Sequence, residues 1–236
     1  MSQTVVLKPT LSQPVFPLNI RSVNKIFPGF AYGDFALIQG TSVLSLSSLL
    51  CVQAQLPTQF GGLKSNVIFI EGGYTFRLYQ IAQLAKLHQL DPKKVLDNIY
   101  ISRAFTAYQA TSLIIEQLKD AIKKYDAKLV IISDIAGFFL DTDIVEYEAE
   151  TIFSQICTYL SNLARETKSI ILATYPQQGD TARNRFFQTV TSNKANVVLT
   201  LRKTSYARQF ILEKHPYLAT NMTELPTENL TLTDFM

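Results

Sequence analysis

Short runs of consecutive β-branched and aromatic residues recur along the chain. Each is followed by a longer segment whose apolar residues return at helical spacing. "FALIQ" (Phe35 to Gln39), "NVIFIE" (Asn66 to Glu71), "NIYIS" (Asn98 to Ser102), "KLVIIS" (Lys128 to Ser133) and "SIILAT" (Ser169 to Thr174) set Val, Ile, Leu and Phe side by side. A strand with one wet face alternates apolar and polar residues; unbroken apolar runs suit a sheet covered on both faces. Helices are predicted between these runs, near Leu44–Leu56, Arg77–Gln89, Tyr108–Tyr125 and Ile144–Thr167. In the third, Ile114, Leu118, Ala121, Ile122 and Tyr125 mark one core-facing side. Regular strand–helix alternation implies βαβ units and a mostly parallel, twisted α/β sheet with helices on both faces. "NVVLTL" and "RQFILEK" follow with only a short turn between them, which predicts a C-terminal antiparallel hairpin. Residues 1–16, polar and punctuated by proline, are expected to be an N-terminal arm. Residues 17–218 form one core domain on this reading, and 219–236, with "TELPTENLTLTDFM", a loose C-terminal tail.

Composition narrows the class. At 236 residues the chain fits one domain with a sizeable core, and 47% hydrophobic against 17% charged residues excludes a disordered chain. The net charge of +3 is too mild to imply nucleic acid, but its distribution is uneven. Between Gln177 and Arg208, six bases (Arg183, Arg185, Lys194, Arg202, Lys203, Arg208) face one acid, Asp180, so this stretch is +5 and the remainder −2. Cys51 and Cys157 fall in apolar helical patterns and read as buried thiols. With His88 and His215 they match no standard metal-ligand spacing, so no metal and no cofactor is expected. No apolar run reaches membrane-spanning length and no signal layout opens the chain, which points to the cytoplasm and leaves nucleoid association open.

A family resemblance is carried by a long ordered string, "AQLPTQFGGLKSNVIFIEGGYTFRLYQIAQLAKLHQLDPKKVLDNIYISRAF" (Ala54 to Phe105). Its "QLP", "GGL", "VIFIE…TFR", "LDP…VLDNIY" and "RAF", with "KLVIISD" and "LRK" further on, resemble the ATPase core of archaeal RadA and its eukaryotic counterparts. The chain is thereby identified with the RecA/RadA recombinase superfamily, as a RadA paralog, over roughly Asn19 to Pro216. The resemblance implies a RecA-like fold and fixes where a nucleotide site would lie. Counted back from "QLP", the eight-residue phosphate loop falls on Leu37 to Leu44. Gly40, Thr41 and Ser42 are present, but Val43 and Leu44 stand where lysine and threonine are needed. Gly73 replaces the water-polarising glutamate, with Glu71 two residues earlier. Ser133 holds the place of the magnesium-supporting aspartate, with Asp134 one residue late. Phosphoryl transfer depends on positioned charge, and each lost element costs on the order of 10²–10³ in rate. The expectation is degenerate Walker A and Walker B motifs and no ATP hydrolysis. The turn at Gln39 to Ser42 either holds an anion on its backbone amides or is a strand-to-helix turn capped by a hydroxyl.

The basic stretch occupies the place of the family's second DNA-contacting loop. Arg183, Arg185 and Lys194 would neutralise phosphates and Phe186 and Phe187 would stack on bases, with Arg202, Lys203 and Arg208 extending the patch. The bland alternative makes the phenylalanines core and the arginines a solvated face. "DTDIVEYEAE" (Asp141 to Glu150) lies near the first such loop, where its acids would repel DNA, although acids also favour a helix N-terminus. No F-x-x-A occurs, so self-filamentation by the family's route is not expected. The functional expectation is a non-catalytic accessory or mediator in homologous recombination or DNA repair. It would bind single-stranded DNA, RadA or another RadA paralog, and no membrane. The alternatives are a RecA-fold interaction scaffold without nucleic acid, or a weak ATPase using Glu71 and Asp134.

Overall fold

The computed structural model describes residues 15–72, 74–140 and 144–225. In chain order these form β1 (Val15–Phe16), α1 (Arg21–Asn24), β2 (Phe30–Ala31), β3 (Phe35–Gly40), α2 (Val43–Gln53), β4 (Asn66–Glu71), α3 (Leu78–Leu87), α4 (Pro92–Asp97) and β5 (Ile99–Arg103). There follow α5 (Ala107–Ser112), α6 (Leu118–Tyr125), β6 (Ala127–Ser133), α7 (Glu146–Thr167), β7 (Ile170–Pro176), α8 (Ala182–Lys194), β8 (Val197–Lys203), β9 (Arg208–Lys214) and β10 (Asn221–Leu225). A π-helical turn, Leu113–Gln117, joins α5 to α6, so the single helix expected over Tyr108–Tyr125 is continuous but locally underwound by one bulge.

One eight-stranded sheet runs β10-β9-β8-β3-β7-β6-β4-β5. The pairs from β8 through β5 are parallel, and β8-β9-β10 are antiparallel, which is the mixed RecA-like α/β arrangement read from the pattern. Alternate residues of the central strands feed two cores. Ala36 and Ile38 join Val67, Phe69, Leu129 and Ile131 beneath α2, α3 and α4. Phe35 and Leu37 join Ile68, Ile70, Val130 and Ile132 beneath α5, α6 and α7. Neither face of the strands meets water, and so their sequences carry no alternation.

Two boundaries differ from the expected ones. Val15 and Phe16, assigned to the arm, pair with β2, and Phe16 is buried; residues 1–14 lie outside the described part. Residues 221–225, assigned to the tail, form β10 on the edge of β9. Their sequence is polar because this strand is held mainly by backbone ladder bonds; only Leu225 is buried. Residues 226–236 also lie outside the described part.

Candidate functional site

The segment expected to be a phosphate loop is a strand for half its length. β3 runs through Leu37, Ile38, Gln39 and Gly40, and α2 starts at Val43, leaving only Thr41 and Ser42 between them. Gly40 has φ 103°, and a Cβ there would collide with the Leu201 carbonyl oxygen. The strand β8 is therefore packed directly against the turn. Thr41 donates both its amide (2.8 Å) and its hydroxyl (3.2 Å) to that same carbonyl. Ser42 takes a left-handed conformation, φ 60°, and its hydroxyl makes no capping bond to α2. The hydroxyl-cap alternative is thus incorrect: capping needs an extended backbone at that position, which Ser42 lacks. The anion-nest alternative has lost the Thr41 amide to Leu201. Val43 is buried in the core and Leu44 packs against it. Gln39 is tied down as well, donating to Thr200 Oγ1 (2.9 Å) and Glu213 (3.2 Å) and accepting from Gln188 (3.0 Å).

The acidic candidates lie at neighbouring strand ends but are held differently. Glu71 is fully buried; one carboxylate oxygen accepts the Phe76 amide (2.7 Å), and the other accepts Arg103 Nε (2.6 Å) and forms an ion pair with the same guanidinium. Both carboxylate oxygens of Glu71 are thus engaged by protein groups. Gly73 lies outside the described residues. Ser133 is buried, and its hydroxyl has no hydrogen-bond partner among the described residues. Asp134 follows at φ 53°, where the chain leaves the sheet. Its amide donates to Thr174 Oγ1 (2.9 Å), and its carboxylate accepts from the Gln178 side-chain amide at 3.4 Å and from the Gly137 backbone amide. Burial pushes the Asp134 carboxyl above the ordinary aspartate range.

Two separate clefts result. Thr41 and Ser42 open to a cleft of about 250 Å³ on the α2 side, walled by Leu46, Leu49, Leu84 and Phe210, with Arg202 and Arg208 at its edge. Asp134 opens to another, about 400 Å³, beside α5. Neither cleft has both halves of the expected nucleotide site in its lining.

The basic stretch is a helix, α8, not a loop. Its N-cap Thr181 accepts the Asn184 amide at 3.1 Å. Phe187 is fully buried, its ring 4.5 Å from that of Phe153, and Phe186 packs half-buried beside it. The stacking role is therefore incorrect for Phe187, because this ring belongs to the core. Arg183 is also structural: it donates to the Phe139 (2.8 Å) and Ile144 (3.1 Å) carbonyls, clamping α8 to the segment before α7. Arg185 is exposed and pairs with Asp180. Lys194 sits at the far end of α8, by the amino ends of the parallel strands, where it lines a cleft with Lys214 and His215. Arg202, Lys203 and Arg208 alone come together, since Lys203 lies opposite Arg208 in the β8–β9 register. Glu146 and Glu148 occupy the first turn of α7, where they complement the helix dipole; Asp141 and Asp143 lie outside the described residues.

Among the described residues no group of His, Cys, Asp and Glu could hold a metal ion, and no helix is long and apolar enough to cross a membrane. Cys51 and Cys157 are free and buried, and burial pushes the Cys157 thiol up to about 12. Sequence reasoning missed the Glu71–Arg103 pair and the exposed ring of Tyr74, whose centroid lies 4.9 Å from the Arg103 guanidinium carbon. Arg103 had been read only as part of "RAF", and no pattern in the chain joined it to Glu71.

A parallel sheet with an antiparallel extension, helices on both faces and a strand-to-helix turn at Gly40 defines a RecA-like core. The chain belongs to the Rad51 family, whose match extends over residues 25–197. It is 29% identical over 180 residues, 73% of its length, to the meiotic recombination protein DMC1 of Saccharomyces cerevisiae, of which this covers 50%. It is 32% identical over 108 residues, 46% of its length, to the DNA repair and recombination protein RadA of Cenarchaeum symbiosum, of which this covers 26%. The chain thus spans half or less of each of these two relatives.

Proposed function

We propose that this chain is a non-catalytic Rad51-family paralog that assists homologous recombination or DNA repair by binding single-stranded DNA, a RadA-type recombinase, or both. The observation that carries the non-catalytic part is the turn at Gly40. Two residues separate strand from helix, the Thr41 amide is already bonded, and apolar Val43 and Leu44 stand where the phosphate-binding lysine and its neighbouring threonine belong. Asp134 opens into a different cleft, and Glu71 is spent on Arg103 and Phe76. The names of the DMC1 and RadA relatives support the recombination setting. For DNA contact, the group that remains is Arg202, Lys203 and Arg208 at the hairpin tip.

The test is a titration of oligothymidylate against the protein and its Arg202→Glu/Lys203→Glu/Arg208→Glu variant at several salt concentrations. For single strands the log–log salt slope is about 0.7 per neutralised phosphate, so losing three contacts flattens it by about 2. No affinity at low salt, together with no recombinase recovered alongside the protein from its native cell, would refute the reading.

A further inference from the structure

The cleft that receives Asp134 has a character of its own. Tyr74, Phe105 and Tyr108 line it and are 75%, 68% and 56% exposed, although side chains of this size are normally buried. Val145 and Tyr147, also exposed, flank it where α7 begins. Its floor is fixed by glycine: a Cβ on Gly72 would run into the Phe138 ring, and one on Gly137 into the Asp134 carboxylate. The charge at this site is acidic. Asp134 lines it, Glu148 accepts the Tyr108 hydroxyl at 2.9 Å on its rim, and Glu146 is exposed one turn away. Among the described residues no lysine or arginine is in the lining. The nearby Arg103 is paired with Glu71 and its guanidinium carbon lies 4.9 Å from the centroid of the Tyr74 ring, which leaves Phe105 and Tyr108 as the rings without a cation. Aromatic faces beside carboxylates attract cations, and acids repel a phosphodiester backbone. A cluster of exposed rings is also what a protein interface presents.

We propose that this cleft docks a basic segment of a partner protein, with a lysine or arginine side chain entering between Phe105 and Tyr108 to meet the carboxylates of Asp134 and Glu148. This is a surface separate from the Arg202–Lys203–Arg208 group, and it stands whether or not that group binds DNA. The probes are a fluorescein-labelled peptide alternating arginine with leucine, the same peptide with glutamate for arginine, and labelled oligothymidylate. The arginine peptide binds the wild-type protein and the glutamate peptide does not. Its affinity falls about tenfold in Phe105→Ala/Tyr108→Ala, between the size of an exposed and of a desolvated cation–π contact, and falls again in Glu148→Gln, which removes a charge. It is unchanged in Glu116→Gln/Asp120→Asn, which removes acids on the neighbouring α5–α6 surface. Because Phe105, Tyr108 and Glu148 are exposed, these variants keep the wild-type melting temperature. Equal losses in the cleft variants and the Glu116→Gln/Asp120→Asn control would reduce the effect to general surface charge and overturn the proposal. So would the absence of peptide binding, or a loss of oligothymidylate affinity in Phe105→Ala/Tyr108→Ala, which would assign the cleft to nucleic acid. Oligothymidylate binding that ignores the cleft but follows the hairpin arginines leaves the DNA reading intact on its own.

Discussion

At Gly40 a backbone angle, a missing Cβ and a neighbouring carbonyl fix the shape of the whole turn. Gly40→Ala must both adopt a φ near 103° and displace the Leu201 carbonyl, so a loss of about 3 kcal/mol is expected, read as a lower midpoint in urea unfolding. Asp134 gives a second prediction. Its folded carboxyl titrates above its unfolded value because burial disfavours the charge. The folded state therefore holds a proton that the unfolded state has already lost, and stability falls as pH rises through that interval. Below the unfolded aspartate value, about 3.9, the group is neutral in both states and costs nothing. Asp134→Asn should accordingly be more stable than wild type at neutral pH, with the advantage vanishing below about pH 4 in denaturation curves measured across pH. An advantage that persists unchanged in acid would mean that the side chain acts through packing instead. Glu71, unlike Asp134, has a charged partner in Arg103. Arg103→Ala strands a fully buried carboxylate, and because Arg103 itself is partly exposed the expected loss is about 2 kcal/mol, below the range for fully buried pairs.

Elements were legible wherever burial and hydrophobicity coincided. β3, β4, β6 and β7 are buried along nearly their whole length, and their sequences say so. α8 was not recognised as a helix for the opposite reason. Its buried positions are Asn184, Phe187 and Thr191, a correct helical spacing in which two of the three residues are polar. Asn184 is satisfied by the Gly179 carbonyl (2.8 Å) and the Tyr175 hydroxyl (2.5 Å), and Thr191 by the Phe187 carbonyl (2.8 Å), so both are buried without an apolar signature. Six-residue α4 was passed over although Asp91 caps it by accepting the Lys93 amide at 2.9 Å and Pro92 follows at its first position. What the candidate turn is made of was legible in the sequence, and its shape was not. The position of the loop could be counted from "QLP", whereas the shortening of the turn depends on β8 lying against Gly40, some 160 residues away in the chain. Phe187→Ala should cost about 3–5 kcal/mol in unfolding while leaving the oligothymidylate salt slope untouched, which separates a core ring from a stacking one.

At the scale of the molecule, Thr41 with Ser42 and Asp134 open into different clefts, and restoring one residue type does not bring them together. Ser42→Gly/Val43→Lys/Leu44→Thr writes the Gly-Lys-Thr triplet back into the sequence. Val43 is only 1% exposed, so the new lysine begins inside the core beneath α2, where a charge is expensive unless paired. β3 still runs straight to Gly40, Thr41 still bonds to Leu201, and a loop of two residues still has too few free amides to surround a triphosphate. Asp134 continues to open beside α5. The restored triplet is therefore expected to release no phosphate from ATP above background, with or without single-stranded DNA, and to unfold at lower denaturant than the wild type. Turnover in that variant would mean that the turn can reopen into a loop and that Asp134 can reach it, and the missing triplet alone would then account for a silent wild type. Absence of turnover in a variant that still melts cooperatively would support the proposed non-catalytic reading and trace it to the architecture of the strand ends, not to the lysine alone.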